Sequence, residues 1–257
     1  MTAPRSAAAA PAQQGRARRL GSEAVGTGLL VVAVVGSGFT ASRLASGAAQ
    51  QLAVNVIATV LALGALIWAL GPVSGAHFNP AVTLVALARR EMAGAEAAGY
   101  VAAQMAAAVA GAVVANLMFR APAVRWSHHS RSGTGLWLGE VVATAGLLLV
   151  IGAATRTGRA RLGPVLVPVW IASAAFVTSS YSFANPAVTV ARSLTDSFSG
   201  IAPASVAGFV VAQLLGAALG ALVTEWLFPV HGTPPPLDLP AAVHTPPPST
   251  SPPQDSG

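Results

Sequence analysis

The sequence contains one pentapeptide twice, in SGAHFNPAVT at residues 74–83 and in SFANPAVT at residues 182–189. Each copy is typical of a helix start: Asn79 and Asn185 are favourable N-cap residues, and a proline at the first helical position has no N–H to leave unpaired. The cap uses the amide oxygen of each Asn and leaves its NH₂ group free as a donor. Because each copy follows a long apolar run, both helices are predicted to begin inside a lipid bilayer, where such backbone must be buried in protein or line a watery cavity.

The composition is that of a membrane protein. The chain has 257 residues, of which 54% are hydrophobic and 9% are charged, and its mean hydropathy is +0.64, too apolar for an ordinary soluble protein. The net charge of +6 comes from arginine, since lysine is absent, and the arginines lie between apolar runs rather than together on one soluble face. That distribution argues against nucleic acid as a partner. The absence of cysteine excludes disulfides and thiol chemistry.

Apolar runs of about 20 residues, long enough to cross a bilayer, predict an all-α membrane domain over residues 20–229. The six predicted spans are residues 20–41, 51–70, 95–119, 136–155, 164–180 and 203–228. One half-helix is predicted from Asn79 to about Ala88, and a second begins at Asn185. Small residues recur along the spans and let helices approach closely in a membrane bundle.

The two halves of this domain repeat each other. The pattern E-x-V-x-T begins at Glu23 and again at Glu140, and the pattern A-G-[YF]-V-x-A-Q occupies residues 98–104 and 207–213. The repeats are about residues 20–119 and 136–228. Each holds three spans and one half-helix, and an odd number of crossings places the two halves in opposite orientations.

The termini are predicted to be disordered tails outside this domain. Residues 1–19 form a basic N-terminal tail that ends in Arg16, Arg18 and Arg19, and residues 230–257 form a Pro-rich tail with no means of building a core. Arginine bias favours both termini in the cytoplasm. The inner face would hold the N-terminal collar with Arg89, Arg90, Arg156, Arg159 and Arg161, and the outer face Arg43, Arg120, Arg125, Arg131 and Arg192.

Two Asn-Pro-Ala boxes, the first preceded by Ser-Gly-x-His-Phe, within six apolar spans make the chain resemble the aquaporin (major intrinsic protein) family. The resemblance implies six transmembrane helices and two re-entrant half-helices around a pore in each subunit of a homotetramer. It implies a passive channel for water and small uncharged solutes in a bacterial plasma membrane, with no enzyme activity and no cofactor. The pore residues it implies are Asn79, Pro80, Ala81, Asn185, Pro186 and Ala187.

One departure from the family pattern concerns the pore constriction. Members commonly carry Arg directly after the second Asn-Pro-Ala, where this chain has Val188, and the nearest arginine is Arg192, one helical turn further out. By family spacing the other constriction positions are Thr59, Ser182 and, to within a residue or two, Ser173. The small side chains predict a wide pore. The valine at position 188, with the segment 189–196 that follows it, resembles a bacterial branch associated with arsenic resistance. Glycerol-like polyols and neutral arsenite are then candidate solutes; a water-selective pore is the alternative.

Glu23 and Glu140 are carboxyls inside predicted spans, and such groups are costly and usually functional. The favoured interpretation, by the resemblance, is that each accepts hydrogen bonds from the backbone leading into a half-helix, and His77 is expected to brace the first such loop. A proton relay in a proton-coupled carrier is the alternative interpretation.

His128 and His129 lie in a polar loop, and we interpret them as exposed polar residues of that loop rather than as a metal site. A structural membrane protein would have little use for paired half-helices.

Overall fold

The computed structural model describes residues 15–229, and these residues form an all-helical bundle. Its α-helices are α1 (Arg16–Leu44), α2 (Ala48–Ser74), α3 (Pro80–Ala88), α4 (Gly94–Met118), α5 (Thr134–Arg156), α6 (Gly163–Val177), α7 (Pro186–Arg192) and α8 (Pro203–Leu227). A 3₁₀ helix, Ala160–Leu162, leads into α6. Six helical segments are long and apolar enough to cross a membrane, and α3 and α7 are the two short helices between them.

The path of the chain defines two faces of the bundle. We call the face at which α1 begins the N-terminal face and the other the opposite face. The loop before α3 enters from the N-terminal face after α2 ends, and the loop before α7 enters from the opposite face after α6 ends. Each half-helix then returns toward the face from which its loop came, so that the two helices start in the middle of the bundle.

The first helix begins earlier than the sequence predicted. Arg16, Arg18 and Arg19 lie in α1, not in a disordered tail. The reason is tertiary contact with α4, because Arg19 forms an ion pair with Glu96 and Arg16 donates a hydrogen bond of 3.2 Å to the carbonyl of Ala95. The rest of the predicted tails, residues 1–14 and 230–257, lies outside the described residues.

The fifth span ends at Val177, three residues before the predicted end. Thr178, which follows it, has extended backbone dihedrals. The chain needs residues 178–185 in order to run inward to the start of α7. The other predicted spans agree with the structure to within four residues at each end.

Each half of the bundle packs through glycines at repeat-related positions. A Cβ added to Gly111 in α4 would lie 2.5 Å from the carbonyl oxygen of Gly28 in α1. A Cβ added to Gly220 in α8 would meet the carbonyl of Ala145 in α5 at a similarly short distance. Both contacts are with backbone, which cannot rotate away. These glycines therefore set how closely α1 approaches α4 and how closely α5 approaches α8.

Gly111→Ala is expected to destabilise the bundle by about 1–3 kcal/mol, the usual cost of overpacking a well-packed contact. Gly21→Ala is the matched control, because a Cβ there meets no atom within 4 Å and alanine is the better helix former. The measurement is the thermal midpoint of the detergent-solubilised protein. Equal midpoints for the two variants would contradict the close α1–α4 approach.

Candidate functional site

The two half-helices meet at their N-terminal tips. Asn79 caps α3 by accepting a hydrogen bond of 2.9 Å from the N–H of Ala81, and Asn185 caps α7 by accepting one of 3.0 Å from the N–H of Ala187. The remaining amide nitrogens cross between the halves: Asn79 Nδ2 donates to the carbonyl of Ala184 at 2.7 Å, and Asn185 Nδ2 donates to the carbonyl of Phe78 at 2.8 Å.

This crossing corrects the prediction that the whole NH₂ group of each asparagine is free. One of its two protons is committed to the opposite loop, and the other is left for a molecule beside the tips. The reciprocal pair of bonds also fixes the two tips against each other. A cap that served only its own helix would not need a partner in the other half.

Glu23 organises the loop that precedes α3. Its Oε1 accepts from Ser74 Oγ at 2.7 Å and from the N–H of His77 at 3.0 Å, and its Oε2 accepts from the N–H of Phe78 at 2.7 Å and from Gln104 Nε2 at 2.8 Å. The side chain is fully buried. Two of these four bonds supply partners for backbone N–H groups that have no helical partner at this depth.

Glu140 does the same for the loop before α7. It accepts from the N–H groups of Phe183 and Ala184, both at 2.9 Å, and from Gln213 Nε2 at 2.6 Å. Gln213 also donates to Thr189 Oγ1 at 2.8 Å. Gln104 makes the equivalent bond in the first half. Both glutamates thus have the geometry of loop supports.

His77 lies beside the first of these loops. Its Nδ1 is 3.1 Å from Thr83 Oγ1, and its ring makes an edge contact with Tyr100 at a centroid distance of 5.4 Å. The residue also lines the cavity described below. The bracing role expected from the sequence stays a prediction, and these contacts are compatible with it.

Both loops contain residues with left-handed backbone. Ala76, Phe78, Ser182 and Ala184 have φ between 48° and 52°, a region that side-chain-bearing residues seldom occupy. The glutamates offset this strain by accepting the N–H groups on one side of each loop. Among the described residues, no hydrogen bond reaches the carbonyls of residues 75–77 or 181–183, so these oxygens remain available as acceptors.

A cavity of about 690 Å³ runs past both tips. At the N-terminal face the cavity wall includes Arg89, Glu91 and Arg161. In the middle of the bundle it includes Asn79 and Asn185. Toward the opposite face its wall includes the predicted constriction residues Thr59, Ser182, Val188 and Arg192. The structure thus brings together four of the five side chains that the sequence placed at the constriction.

Ser173, which the sequence placed only to within a residue or two, is the exception, because it does not line the cavity. Its side chain is exposed on the outside of α6, whereas Ile171 and Ala175 line the cavity. A shift of two residues turns a side chain by about 200° around a helix of 3.6 residues per turn. Spacing counted through the loop before α7 located the right helix but the wrong side of it.

Two hydroxyls in the cavity wall lack a hydrogen-bond partner among residues 15–229: Thr59 Oγ1 and Ser182 Oγ. Buried polar atoms without a partner are uncommon. Since both residues line the cavity, a hydrogen-bonding molecule inside it is the partner that the geometry allows. This arrangement suits a solute with its own hydroxyl groups.

Sequence reasoning did not assign a role to Asn55, Gln104 or Gln213. Asn55 lines the cavity and is four residues before Thr59, so a search for polar residues on the same face of α2 would have found it. The two glutamines occupy matching places in the repeat, which is the signal for a shared structural task. Phe183 belongs to the second motif and had no predicted role, yet its ring supports the Arg192 guanidinium.

His128 and His129 converge on one carboxylate at the opposite face. Asp196 receives the N–H of His128 at 3.0 Å and lies 3.3 Å from its Nδ1 and 3.8 Å from His129 Nε2. The backbone N–H of His128 is the main reason that the pKa of Asp196 is lowered. Within residues 15–229 no three His, Cys, Asp or Glu side chains are grouped as a metal site requires. The cluster ties the loop after α4 to the loop after α7.

Glu23→Leu is expected to destabilise the folded channel by about 3 kcal/mol or more, because it leaves buried N–H groups of the first loop unpaired. Glu225→Gln, at a half-exposed carboxyl, is the control and should have little effect. The measurement is the fraction of protein that stays monodisperse in detergent after heating. Equal survival of both variants would show that Glu23 does not support the loop.

Ala175→Phe is expected to reduce permeation of solutes at least tenfold, because the ring would fill the cavity. Ser173→Phe should leave permeation within twofold of the unmodified channel, since position 173 is outside the cavity wall. Stopped-flow light scattering on proteoliposomes measures both. Block by Ser173→Phe and not by Ala175→Phe would restore the original assignment.

Comparison with known proteins agrees with this architecture. Residues 12–184 match the family model described as "Major intrinsic protein". The chain is 48% identical over 210 residues to aquaglyceroporin AqpS of Rhizobium meliloti, an alignment that covers 82% of this chain and 90% of the relative. It is 30% identical over 232 residues to aquaporin Z of Bradyrhizobium diazoefficiens, which covers 82% of this chain and 93% of that protein.

Among solved structures, the aquaglyceroporin from Plasmodium falciparum shares the fold, with a TM-score of 0.63 at 20% identity. The match covers 84% of this chain and 97% of that one. The prediction from the paired motifs is therefore confirmed: the chain belongs to the major intrinsic protein family, and it is an integral membrane channel rather than an enzyme.

Proposed function

We propose that this channel conducts water and small uncharged solutes of the size of glycerol, passively, through the cavity between the half-helices. The observation that carries the proposal is that one cavity of about 690 Å³ contains both asparagine tips and also reaches wall residues near both faces. The similarity to a protein named an aquaglyceroporin supports the solute class.

The charge distribution favours neutral molecules. Each half-helix presents at its N-terminus a partial charge of roughly +0.5 elementary charge, and both termini lie beside the same cavity. A cation that reached the tips would lose water and meet two positive ends, whereas a hydroxyl could accept from Asn79 and Asn185. Positive half-helix ends form such a barrier in pores of this kind.

The width of the proposed constriction favours polyols over water alone. Thr59, Ser182 and Val188 are small or medium in size, and Ala175 adds no bulk from α6. Two of them offer unpaired hydroxyls. Arsenous acid, like glycerol, is a neutral molecule with several hydroxyls, and we include it among the proposed solutes.

The glutamates argue against a proton-coupled carrier. Glu23 and Glu140 each accept bonds from two backbone N–H groups and a glutamine, and protonation would remove an acceptor that the loop needs. Their geometry therefore supports a fixed structural role. A carrier would instead need a carboxyl that can change its partners during transport.

We further propose that the N-terminal face is cytoplasmic and that the channel assembles as a homotetramer, as the family resemblance implies. Arg89, Arg156 and Arg161 at the ends of α3 and α5 and before α6 agree with the first proposal. Large exposed apolar residues such as Leu61, which is 68% exposed, agree with a surface covered by lipid or by another subunit. Mass measurement of the purified protein and protease access to tagged termini test these points.

Permeability of purified protein in proteoliposomes tests the function. We expect stopped-flow scattering to show water flux and also glycerol and arsenite flux, without saturation and without dependence on a pH gradient. Uptake that requires a pH gradient and is abolished in well-folded Glu23→Gln would identify a carrier. Water flux with no flux of glycerol, urea or arsenite would identify a water-selective pore.

Val188→Arg is expected to reduce glycerol permeability about tenfold or more and water permeability less, because a guanidinium would narrow the lumen beside Thr59 and Ser182. Val188→Leu is the control for added volume without charge and should have a smaller effect. The two permeabilities are measured on the same vesicles. Equal loss of both fluxes, with normal folding, would contradict a role for Val188 in the constriction.

A further inference from the structure

A second set of polar residues lies one helical turn outside the proposed constriction on two different helices. Asn55 precedes Thr59 by four residues on α2, and Arg192 follows Val188 by four residues on α7. Each step of four residues moves about 6 Å along a helix, and both steps lead toward the opposite face. Asn55 and Arg192 both line the cavity, and both are 7% exposed.

The amide of Asn55 is held in one orientation. Ser37 Oγ donates its proton to the carbonyl of Ala33 at 2.6 Å, so its oxygen acts as an acceptor. Asn55 Nδ2 donates to Ser37 Oγ and to the carbonyl of Val34, both at 2.8 Å. Both amide protons are therefore used on the α1 side, and Oδ1 is left as the group that can accept from a molecule in the cavity.

The guanidinium of Arg192 is also held in place. Its central carbon lies 3.3 Å from the centroid of the Phe183 ring, and its Nε donates to the carbonyl of Ser199. Arg131 holds the adjacent carbonyls, donating to Gly200 from Nε at 2.9 Å and to Phe198 from Nη2 at 3.3 Å. Within residues 15–229, Arg192 forms no ion pair and its two terminal nitrogens make no hydrogen bond.

We propose that Asn55 and Arg192 form a polyol-binding site that precedes the Thr59–Val188 constriction and sets the preference for hydroxylated solutes over water. The proposal deepens the proposed function and rests on it. We call this pair the outer site. A polyol hydroxyl would donate to Asn55 Oδ1 while another oxygen of the same molecule accepts from the Arg192 terminal nitrogens.

The chemistry of the outer site selects for solutes with both kinds of group. A molecule with at least two hydroxyls can pair with an acceptor fixed on α2 and a donor fixed on α7 at the same time. One water molecule can satisfy only one of them at a time unless the two groups are very close. The uncompensated guanidinium also repels cations before they reach the half-helix tips.

The test compares glycerol and water permeability of proteoliposomes that carry Asn55→Leu, Arg192→Met or both substitutions. Both replacements are close in size to the original side chain, so the lumen keeps its width. Each single variant is expected to lower the glycerol-to-water permeability ratio about fivefold, the change that corresponds to one hydrogen bond of ordinary strength. The double variant should lower it by less than the product of the two, because one solute uses both groups.

Ser42→Ala is the matched control on α1. Ser42 Oγ donates to the carbonyl of Gly38 in its own helix and the residue is not part of the cavity wall, so the ratio should stay within twofold. If Asn55→Leu alone does not fold, Asn55→Leu combined with Ser37→Ala takes its place, because removal of both partners avoids an unpaired buried group.

The outcomes separate the outer site from the function itself. A wild-type channel that conducts water and no glycerol overturns the proposed function. A glycerol-conducting wild type whose ratio is unchanged or raised in both single variants overturns only the outer site. Losses that multiply in the double variant, or a loss in Ser42→Ala as large as that in Asn55→Leu, overturn it as well.

Discussion

The structure depends on the solution to one problem, which is how to place non-helical backbone in the middle of a membrane. Unpaired N–H groups there cost several kcal/mol each because no lipid group can accept from them. Glu23 and Glu140 remove this cost by accepting hydrogen bonds from the two loops. Each lies on the first helix of its half of the repeat. A carboxylate suits the task because it only accepts, and it has two oxygens for two successive N–H groups.

The consequence for the lumen follows from the same bonds. Two successive N–H groups of each loop turn toward a buried glutamate, which leaves carbonyl oxygens of the loop without a protein donor, and the left-handed residues Ala76, Phe78, Ser182 and Ala184 make this turn possible. The support for the fold therefore also creates the row of acceptors along the cavity. Strain at these positions is balanced by bonds that would not exist in a regular helix.

Much of this arrangement could be predicted from the sequence because it is encoded in local patterns. Apolar length predicts the six spans, Asn-Pro predicts the start of each half-helix, and repetition of the Glu23 pattern at Glu140 predicts their shared role. The side of α6 that faces the cavity could not be predicted in this way. Ser173, Ile171 and Ala175 differ by few residues in sequence, and helix rotation depends on packing against α2 and α5 rather than on any local signal.

Long-range contacts account for the other differences. Arg16 and Arg19 are helical because α4 offers them the Ala95 carbonyl and Glu96. Asn79 shares its amide with the second half because Ala184 presents a carbonyl at the tip. Neither partner is near in sequence. The position of Arg192 was predicted by helical periodicity, but its support by Phe183 and Ser199 depends on how the chain folds back after α7.

The symmetry of the scaffold makes the asymmetry of the lumen informative. Val82 and Val188 hold the same place after their asparagines and both line the cavity, as do Ala86 and Arg192 four residues later. The backbone arrangement of the two half-helices is thus repeated, whereas only α7 carries a buried cation, Arg192. A requirement of folding would be met equally in both halves, since Glu23 and Glu140 provide the same support to each. The first half folds with Ala86 at this position, so the fold does not require a cation there. The arginine at the matching position of the second half is therefore better explained by contact with the solute in the pore.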